Sequence, residues 1–274
     1  MDAIAKHYGV ADLMGRIREA LAKAGKDAAR PNLEDLAPVD EFHIRGREAT
    51  LELAALAGVK PGLRVLDVGS GLGGSSRFLA GECGCEVAGI DLTPEYCEVA
   101  RELTAMTELQ ERAWFVCGSA LDLPFRDAAF ELAWTQHVQM NIGDKAVLYA
   151  EVLRVLKPGG RFAFHDILAG PGGPVHVPVP WAEEAGMSFL IDADGLRDLL
   201  ERTGFRVVEW RDTTEVARNW FEAALEKQKQ MEGPPPVGLH LLLRETGKAK
   251  MGNVARNLAE GRIEVYQGVV ERGD

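Results

Sequence analysis

The chain reads as an α/β protein built on a parallel, doubly wound sheet, and three observations carry that reading. Short apolar runs alternate with helical segments from residue 63 onward. The first run ends in a glycine-rich turn, Asp67-Val68-Gly69-Ser70-Gly71-Leu72-Gly73-Gly74. Residues without a Cβ let the backbone turn sharply there and approach a ligand closely. A proline-rich loop follows the fifth run, at the strand end where open α/β sheets place their ligands. The 274 residues, 46% of them hydrophobic, suffice for one large domain with a full core, or for a domain with a small cap.

Residues 10–24 carry Val10, Leu13, Met14, Ile17 and Leu21 at helical spacing, with Gly25 as the stop. Residues 26–40 read as a polar, proline-punctuated connection. A second helix is expected over 47–57, ended by Gly58 and Pro61. Strand one, 63–68, is apolar through Val65, Leu66 and Val68, and a helix runs from Ser75 to Gly81. Strand two is Glu86–Asp91; Thr93 and Pro94 then open a helix that reaches Thr107. Strand three is Ala113–Val116 and strand four Phe130–Trp134. Asp144 caps a helix to Leu156, and Lys157-Pro158-Gly159-Gly160 turns the chain into strand five, Arg161–Ile167.

Residues 169–186 break the alternation. Gly170-Pro171-Gly172-Gly173-Pro174 and Pro178-Val179-Pro180-Trp181 form an irregular loop, and a loop of that length inside a compact domain is usually functional. A helix over Asp194–Arg202, stopped by Gly204, leads to strand six, Phe205–Trp210. A helix over 214–231, the stretch Gly233-Pro234-Pro235-Pro236 and helical segments over 237–245 and 249–260 precede the last strand, Ile263–Val270. The 213–261 insertion, the two N-terminal helices and the 170–187 loop can together build a lid over the sheet edge.

The net charge of −11, without a dense Lys/Arg cluster, argues against nucleic acid as a partner. No run of 18 apolar residues occurs, so no transmembrane helix is expected. Met1-Asp2-Ala3-Ile4-Ala5-Lys6-His7 lacks the basic-then-apolar design of a signal peptide. Cys83, Cys85, Cys97 and Cys117 follow neither a disulfide framework nor a zinc spacing, which fits reduced thiols in a cytoplasmic protein. No metal is expected.

Gly69-x-Gly71-x-x-Gly74 satisfies the dinucleotide fingerprint, and Asp91 lies about twenty residues on, where a ribose-binding acid belongs. The helix N-terminus behind the turn offers free N–H groups to an anion. Asp67 shifts the balance toward a different cofactor. Asp67-Val68-Gly69-Ser70-Gly71-Leu72-Gly73 resembles motif I of the class I S-adenosylmethionine (SAM)-dependent methyltransferases. Gly118-Ser119-Ala120-Leu121-Asp122-Leu123-Pro124-Phe125 resembles the adenine segment of that family, with Ser119 in place of its usual acid. Leu153-Arg154-Val155-Leu156-Lys157-Pro158-Gly159-Gly160 resembles its turn before strand five. Trp134-Thr135-Gln136-His137-Val138-Gln139-Met140-Asn141-Ile142, with Gly118-Ser119 and Asp40-Glu41-Phe42-His43, is similar to the sarcosine/dimethylglycine and phosphoethanolamine N-methyltransferase-like enzymes and their type 11 relatives. Those enzymes commonly carry an Asp where His137 stands.

The resemblance implies a Rossmann-like doubly wound seven-stranded sheet with strand seven antiparallel and a helical lid from the N-terminus and the 213–261 insertion. It implies a single methyltransferase domain over 1–274: an N-terminal helical cap over 1–60, a SAM-binding core over 61–168, and acceptor-side loop, lid helices and last strands over 169–274. SAM is the expected cofactor and S-adenosylhomocysteine (SAH) its product. The residues expected to hold it are Asp67, Gly69, Ser70, Gly71, Gly73, Asp91, Leu92, Ser119, Ala120, Leu121 and Gln136. Asp91 is the ribose carboxylate, although it also suits the N-terminus of the helix at 94. The partner is a small-molecule methyl acceptor, methylated in line on N, O or C, and a homodimer is compatible with the chain.

His137 is the expected catalytic base, because a neutral imidazole can take a proton from the nucleophile near pH 7. It can equally order its loop through the backbone. His43 and His165 are further candidate bases, and Phe42, Trp181 and Trp220 can wall the acceptor or enclose a cationic amine. Two other classes fit parts of the pattern, a nicotinamide-dependent oxidoreductase and a non-catalytic SAM-binding protein.

Overall fold

Alternating apolar runs fold here into one mixed sheet. A computed structural model describes residues 7–10, 12–229, 233, 235–243 and 246–273. Its strands are β1 (Arg64–Val68), β2 (Glu86–Asp91), β3 (Ala113–Cys117), β4 (Phe130–Gln136), β5 (Leu156–Ala169), β6 (Phe205–Asp212) and β7 (Ile263–Arg272). They lie in the order β3-β2-β1-β4-β5-β7-β6. Strands β1 to β5 pair in parallel, and β7 runs antiparallel between β5 and β6. The seven-stranded architecture with a reversed last strand is the one expected.

The helices are α1 (Leu13–Lys23), α2 (Leu33–Asp40), α3 (Gly46–Ala57), α4 (Gly74–Gly81), α5 (Pro94–Met106), α6 (Lys145–Val155), α7 (Ala193–Thr203), α8 (Thr214–Lys229), α9 (His240–Leu243) and α10 (Gly247–Ala259). They cover both sheet faces, which is why β1 is apolar on both sides. Leu66 and Val68 pack with Leu148 and Tyr149 of α6 and Leu196 of α7. Val65, one residue out of phase, packs with Leu53 of α3 and Phe78 and Leu79 of α4. The glycine turn therefore leaves the middle of a sheet anchored on both faces.

Among the boundaries that differ from the expectation, two change an element. The connection over 26–40 contains α2, whose start is a capping box: Asn32 Oδ1 accepts from the Asp35 N–H, and the Asp35 carboxylate accepts from the Asn32 N–H. Pro38 lies inside this helix and removes one backbone donor, but Leu36 and Val39 are fully buried beside Ile17 and Leu21 of α1. Apolar burial holds the turn that the prolines argue against. The Lys157–Gly160 turn is drawn into an irregular start of β5, where the pairing with β4 shifts between Phe130 and Leu132 and Gly159 takes φ +70°.

The lid has two parts. Helices α1 and α2 share a cluster with α5 and with Val237, Leu241 and Leu242. Helices α8 and α10 pack through Ala217, Phe221, Val254 and Leu258 against Trp181 and the β5 and β7 residues Ile167 and Val265. Residues 230–231 of the expected 214–231 helix, residues 244–245 of the next segment, Pro234 and the first six residues of the N-terminus lie outside the described residues.

Candidate functional site

The glycine turn opens into a cavity of about 410 Å³ between the C-terminal ends of the strands and the lid. Gly69 takes φ +72°, and a Cβ there would lie 2.4 Å from a Val138 methyl carbon. Gly71 takes φ +53° with open space where a Cβ would stand, so backbone faces the cavity. The Gly69 and Ser70 N–H groups donate to Ile90 O, which ties the turn to β2. Ser70 Oγ is buried without a hydrogen-bond partner among the described residues.

Two carboxylates flank the turn. Asp67, 2% exposed, accepts from Ser76 Oγ at 2.6 Å. Burial pushes its carboxyl up to about 7, against the lowering effect of that bond. Asp91 accepts from the Gly71 N–H at 2.9 Å and the Thr93 N–H at 2.8 Å. It therefore fixes the turn and caps the approach to α5 at once. Each of its oxygens keeps a further lone pair, and burial raises its pKa. Leu92, Ser119, Ala120 and Leu121 continue the same wall. Ser119 Oγ accepts from the Leu121 N–H at 3.1 Å, so its own proton is free to be donated.

Gln136 also lines the cavity, but its carbonyl oxygen is already engaged by Ser75 Oγ at 2.5 Å and Trp134 Nε1 at 2.9 Å. Its amide nitrogen reaches Thr50 Oγ1 at 3.2 Å. Gln136 is thus oriented by the chain itself.

Three imidazoles cluster at the far end of the cavity, with His43 and His137 on its wall and His165 behind them. His137 leaves β4 with φ +55°, a conformation uncommon for a residue with a side chain. Its N–H donates to His165 O at 2.8 Å, and the next N–H, of Val138, donates to Asp166 Oδ1 at 3.0 Å. Burial pushes Asp166 up to about 8. The His137 ring stacks on His165 with centroids 5.0 Å apart, and His43 stands 6.0 Å from His137 and 5.7 Å from His165. His43 Nε2 pairs with Glu41 Oε2 at 3.1 Å, and Thr50 and Arg47 donate to the same carboxylate. Burial alone would raise Glu41, but these donors hold it below its ordinary value. His165 Nε2 donates to Ile44 O at 3.0 Å.

Burial, reinforced by the neighbouring imidazoles, drives His137 well below its ordinary pKa and His165 down to about 3. Both rings are neutral near pH 7. His43 Nδ1, His137 Nε2 and His165 Nδ1 are buried without partners among the described residues.

Two expected site residues stand elsewhere. His165 is fully buried behind His137 and does not reach the cavity wall, because β5 lies one strand further across the sheet. Gly73 packs under Phe115, where a Cβ would approach a ring carbon to 2.6 Å; it serves the turn from behind and lies off the wall. Phe42, His43, Trp181 and Trp220 do reach the wall. Trp181 offers only its ring, since Nε1 donates to Ser188 Oγ. Thr50 and Ser75, which hold Gln136, and Asn141, which accepts from Tyr8 Oη, carry no sequence signal of their own; each meets a partner at least 61 residues away.

A methyltransferase domain family matches residues 66–164. Glycine/sarcosine/dimethylglycine N-methyltransferase of Actinopolyspora halophila is 30% identical over 195 residues, 71% of this chain and 34% of that protein. The chain thus spans about a third of that relative's length. Methyltransferase GfsG of Streptomyces halstedii is 30% identical over 197 residues, 70% of each chain. Phosphoethanolamine N-methyltransferase 2 of Haemonchus contortus shares the fold with a TM-score of 0.75 at 18% identity, over 100% of this chain and 61% of that one.

Proposed function

Because the chain belongs to the SAM-dependent methyltransferase family, we propose that its central cavity holds SAM and serves methyl transfer to a small-molecule acceptor on N, O or C. The observation that carries this is the meeting of the glycine turn, two buried carboxylates and a neutral histidine around one cavity. The fit to SAM rests on the same residues. Asp67 is an acid whose carboxyl burial raises, and the SAM ammonium would supply a compensating charge. Asp91 has lone pairs left for ribose hydroxyls, Ser70 Oγ lacks a partner among the described residues, and Gly71 leaves room for close approach. Leu92, Ser119, Ala120 and Leu121 form the adenine wall, with Gly69 shaping the turn and Gln136 closing the pocket floor.

When bound, SAM supplies a sulfonium methyl that is already electrophilic. The chain's own residues then have three tasks. The lid and loop side chains hold the acceptor and keep water out. Asp67 and Asp91 fix the cofactor ends. His137 takes the proton that leaves the acceptor's nucleophilic atom, and its neutral ring can accept it. His43, paired with Glu41, stands beside it on the wall. The division into cap (1–60), core (61–168) and acceptor-side part (169–274), a cytoplasmic location and a homodimer belong to the same proposal.

Isothermal titration with SAM and then SAH tests it. Micromolar binding of both is expected, and Gly71→Val should abolish it by placing a β-branched side chain at φ +53° on the cavity wall. A folded protein that binds neither would overturn the reading, and stabilisation by a nicotinamide dinucleotide instead would replace it.

A further inference from the structure

Among the described residues the acceptor end of the cavity is mainly apolar and carries no Lys or Arg. Phe42 precedes α3, Met140 follows β4, Trp181 comes from the loop after β5, and Trp220, Phe221 and Leu242 come from the lid helices. Five separate segments thus converge on one wall, and none of these side chains is charged. Among the described residues no Lys or Arg lines the cavity. The nearby cations are engaged elsewhere. Lys145 Nζ donates to the carbonyls of Gln139, Ile142 and Phe189. Arg45 is held by Glu52, Arg47 by Glu41 and Glu82, and Lys250 by Glu183. The acids on the wall are Asp40, Asp67 and Asp91. Asp40 is paired with Arg77, and the other two flank the glycine turn.

A phosphate or carboxylate brought into such a space loses its water and meets no counter-charge, which strongly disfavours it. An ammonium would find aromatic faces, but the wall acid two residues from Phe42, Asp40, is already paired with Arg77. A neutral molecule of mainly apolar surface loses little on entering. Tyr8 and Asn141 also line the cavity, but Tyr8 Oη donates to Asn141 Oδ1 and Asn141 Nδ2 donates to Trp181 O. The imidazoles of His137 and His43 suit a hydroxyl, which brings its own proton and needs an acceptor for it.

We propose that the acceptor is an uncharged, largely apolar molecule whose hydroxyl faces His137, and that phosphorylated, zwitterionic and cationic amine acceptors are excluded. This rests on the methyltransferase reading above.

The test uses the SAH-loaded wild-type protein and matched probes: 2-naphthol, 4-phenylphenol and 4-octylphenol, the phosphate monoester of each, and sarcosine, phosphoethanolamine and dimethylethanolamine. Titration calorimetry should find at least one phenol bound about tenfold or more tightly than its ester, with no heat from the three small charged amines. Product analysis with SAM should give the methyl ether of a phenol that binds. Binding of no phenol, an ester bound as tightly as its phenol, or methylation of any of the three amines would overturn the proposal. The preceding SAH titration reports on the cofactor reading alone, so the two can fail separately.

Discussion

His137 combines a backbone conformation that few residues with a side chain adopt and a ring that burial keeps neutral, and so able to accept a proton, near pH 7. Such strain persists only where the surroundings over-determine it. Here His165 O, the Asp166 carboxylate on the next residue and the stack on His165 all hold the same loop. If His137 is the base, His137→Ala should lower turnover by roughly 10²- to 10⁴-fold, with SAM affinity largely kept. Parallel titration and single-turnover measurements separate the two, and unchanged turnover would place the base elsewhere.

Asp67 gives a residue-scale pH prediction. Its carboxyl sits at about 7 in the free protein, chiefly through burial. An ammonium beside it favours the ionised form, so binding releases a proton below that pH. Affinity for SAM should therefore rise as pH increases to about 7 and level off above it. Asp67→Asn should weaken binding and flatten that profile; a profile unchanged in the variant would mean that Asp67 does not face the ammonium. Without ligand the sign reverses. A folded pKa raised from 3.8 means the folded chain binds more protons than the unfolded one, so this group's stabilisation is complete below 3.8 and is lost as pH rises through about 7.

At the scale of elements, α2 shows how packing overrides a local signal. Two prolines within eight residues argue against a helix over 31–38, yet Asn32 and Asp35 close a capping box and Leu36 and Val39 are fully buried. The box was readable as Asn-x-x-Asp; the burial was not, because α1, which covers those side chains, is a separate segment. Asn32→Ala should cost about 1 kcal/mol of stability, measured as a shift in the urea midpoint at unchanged slope. A shift near zero would mean that packing alone holds the helix. The strands needed no such correction in kind. β1, β2 and β4 were legible because apolar runs that short, bounded by turn residues, have few alternatives. The start of β5 was harder, since the pairing with β4 accommodates Gly159 through a register shift that local propensity does not contain.

For the whole molecule, the cavity is a product of assembly. Its cofactor wall comes from turns that immediately follow β1, β2 and β3, and parallel pairing in register brings Asp67, Asp91 and Ser119 to the same sheet edge. The acceptor wall has no such rule. Phe42, Trp181, Trp220 and Leu242 are scattered over about 200 residues and meet only because two apolar clusters close over the sheet from either side.

The sequence by itself determined the sheet, the order of its elements and the cofactor end of the site. Those features are encoded within short windows, where glycine placement, strand ends and helix starts obey local sterics and hydrogen bonding. The tertiary structure decided the rest: that His165 lies behind His137 and off the wall, that Gly73 supports the turn from behind, that Gln136 is held by Thr50 and Ser75, and that the acceptor end is free of cations among the described residues. The physical reason is that side-chain contacts between distant segments, and the desolvation that sets the protonation of His137, Asp67 and Asp166, exist only once those segments pack together.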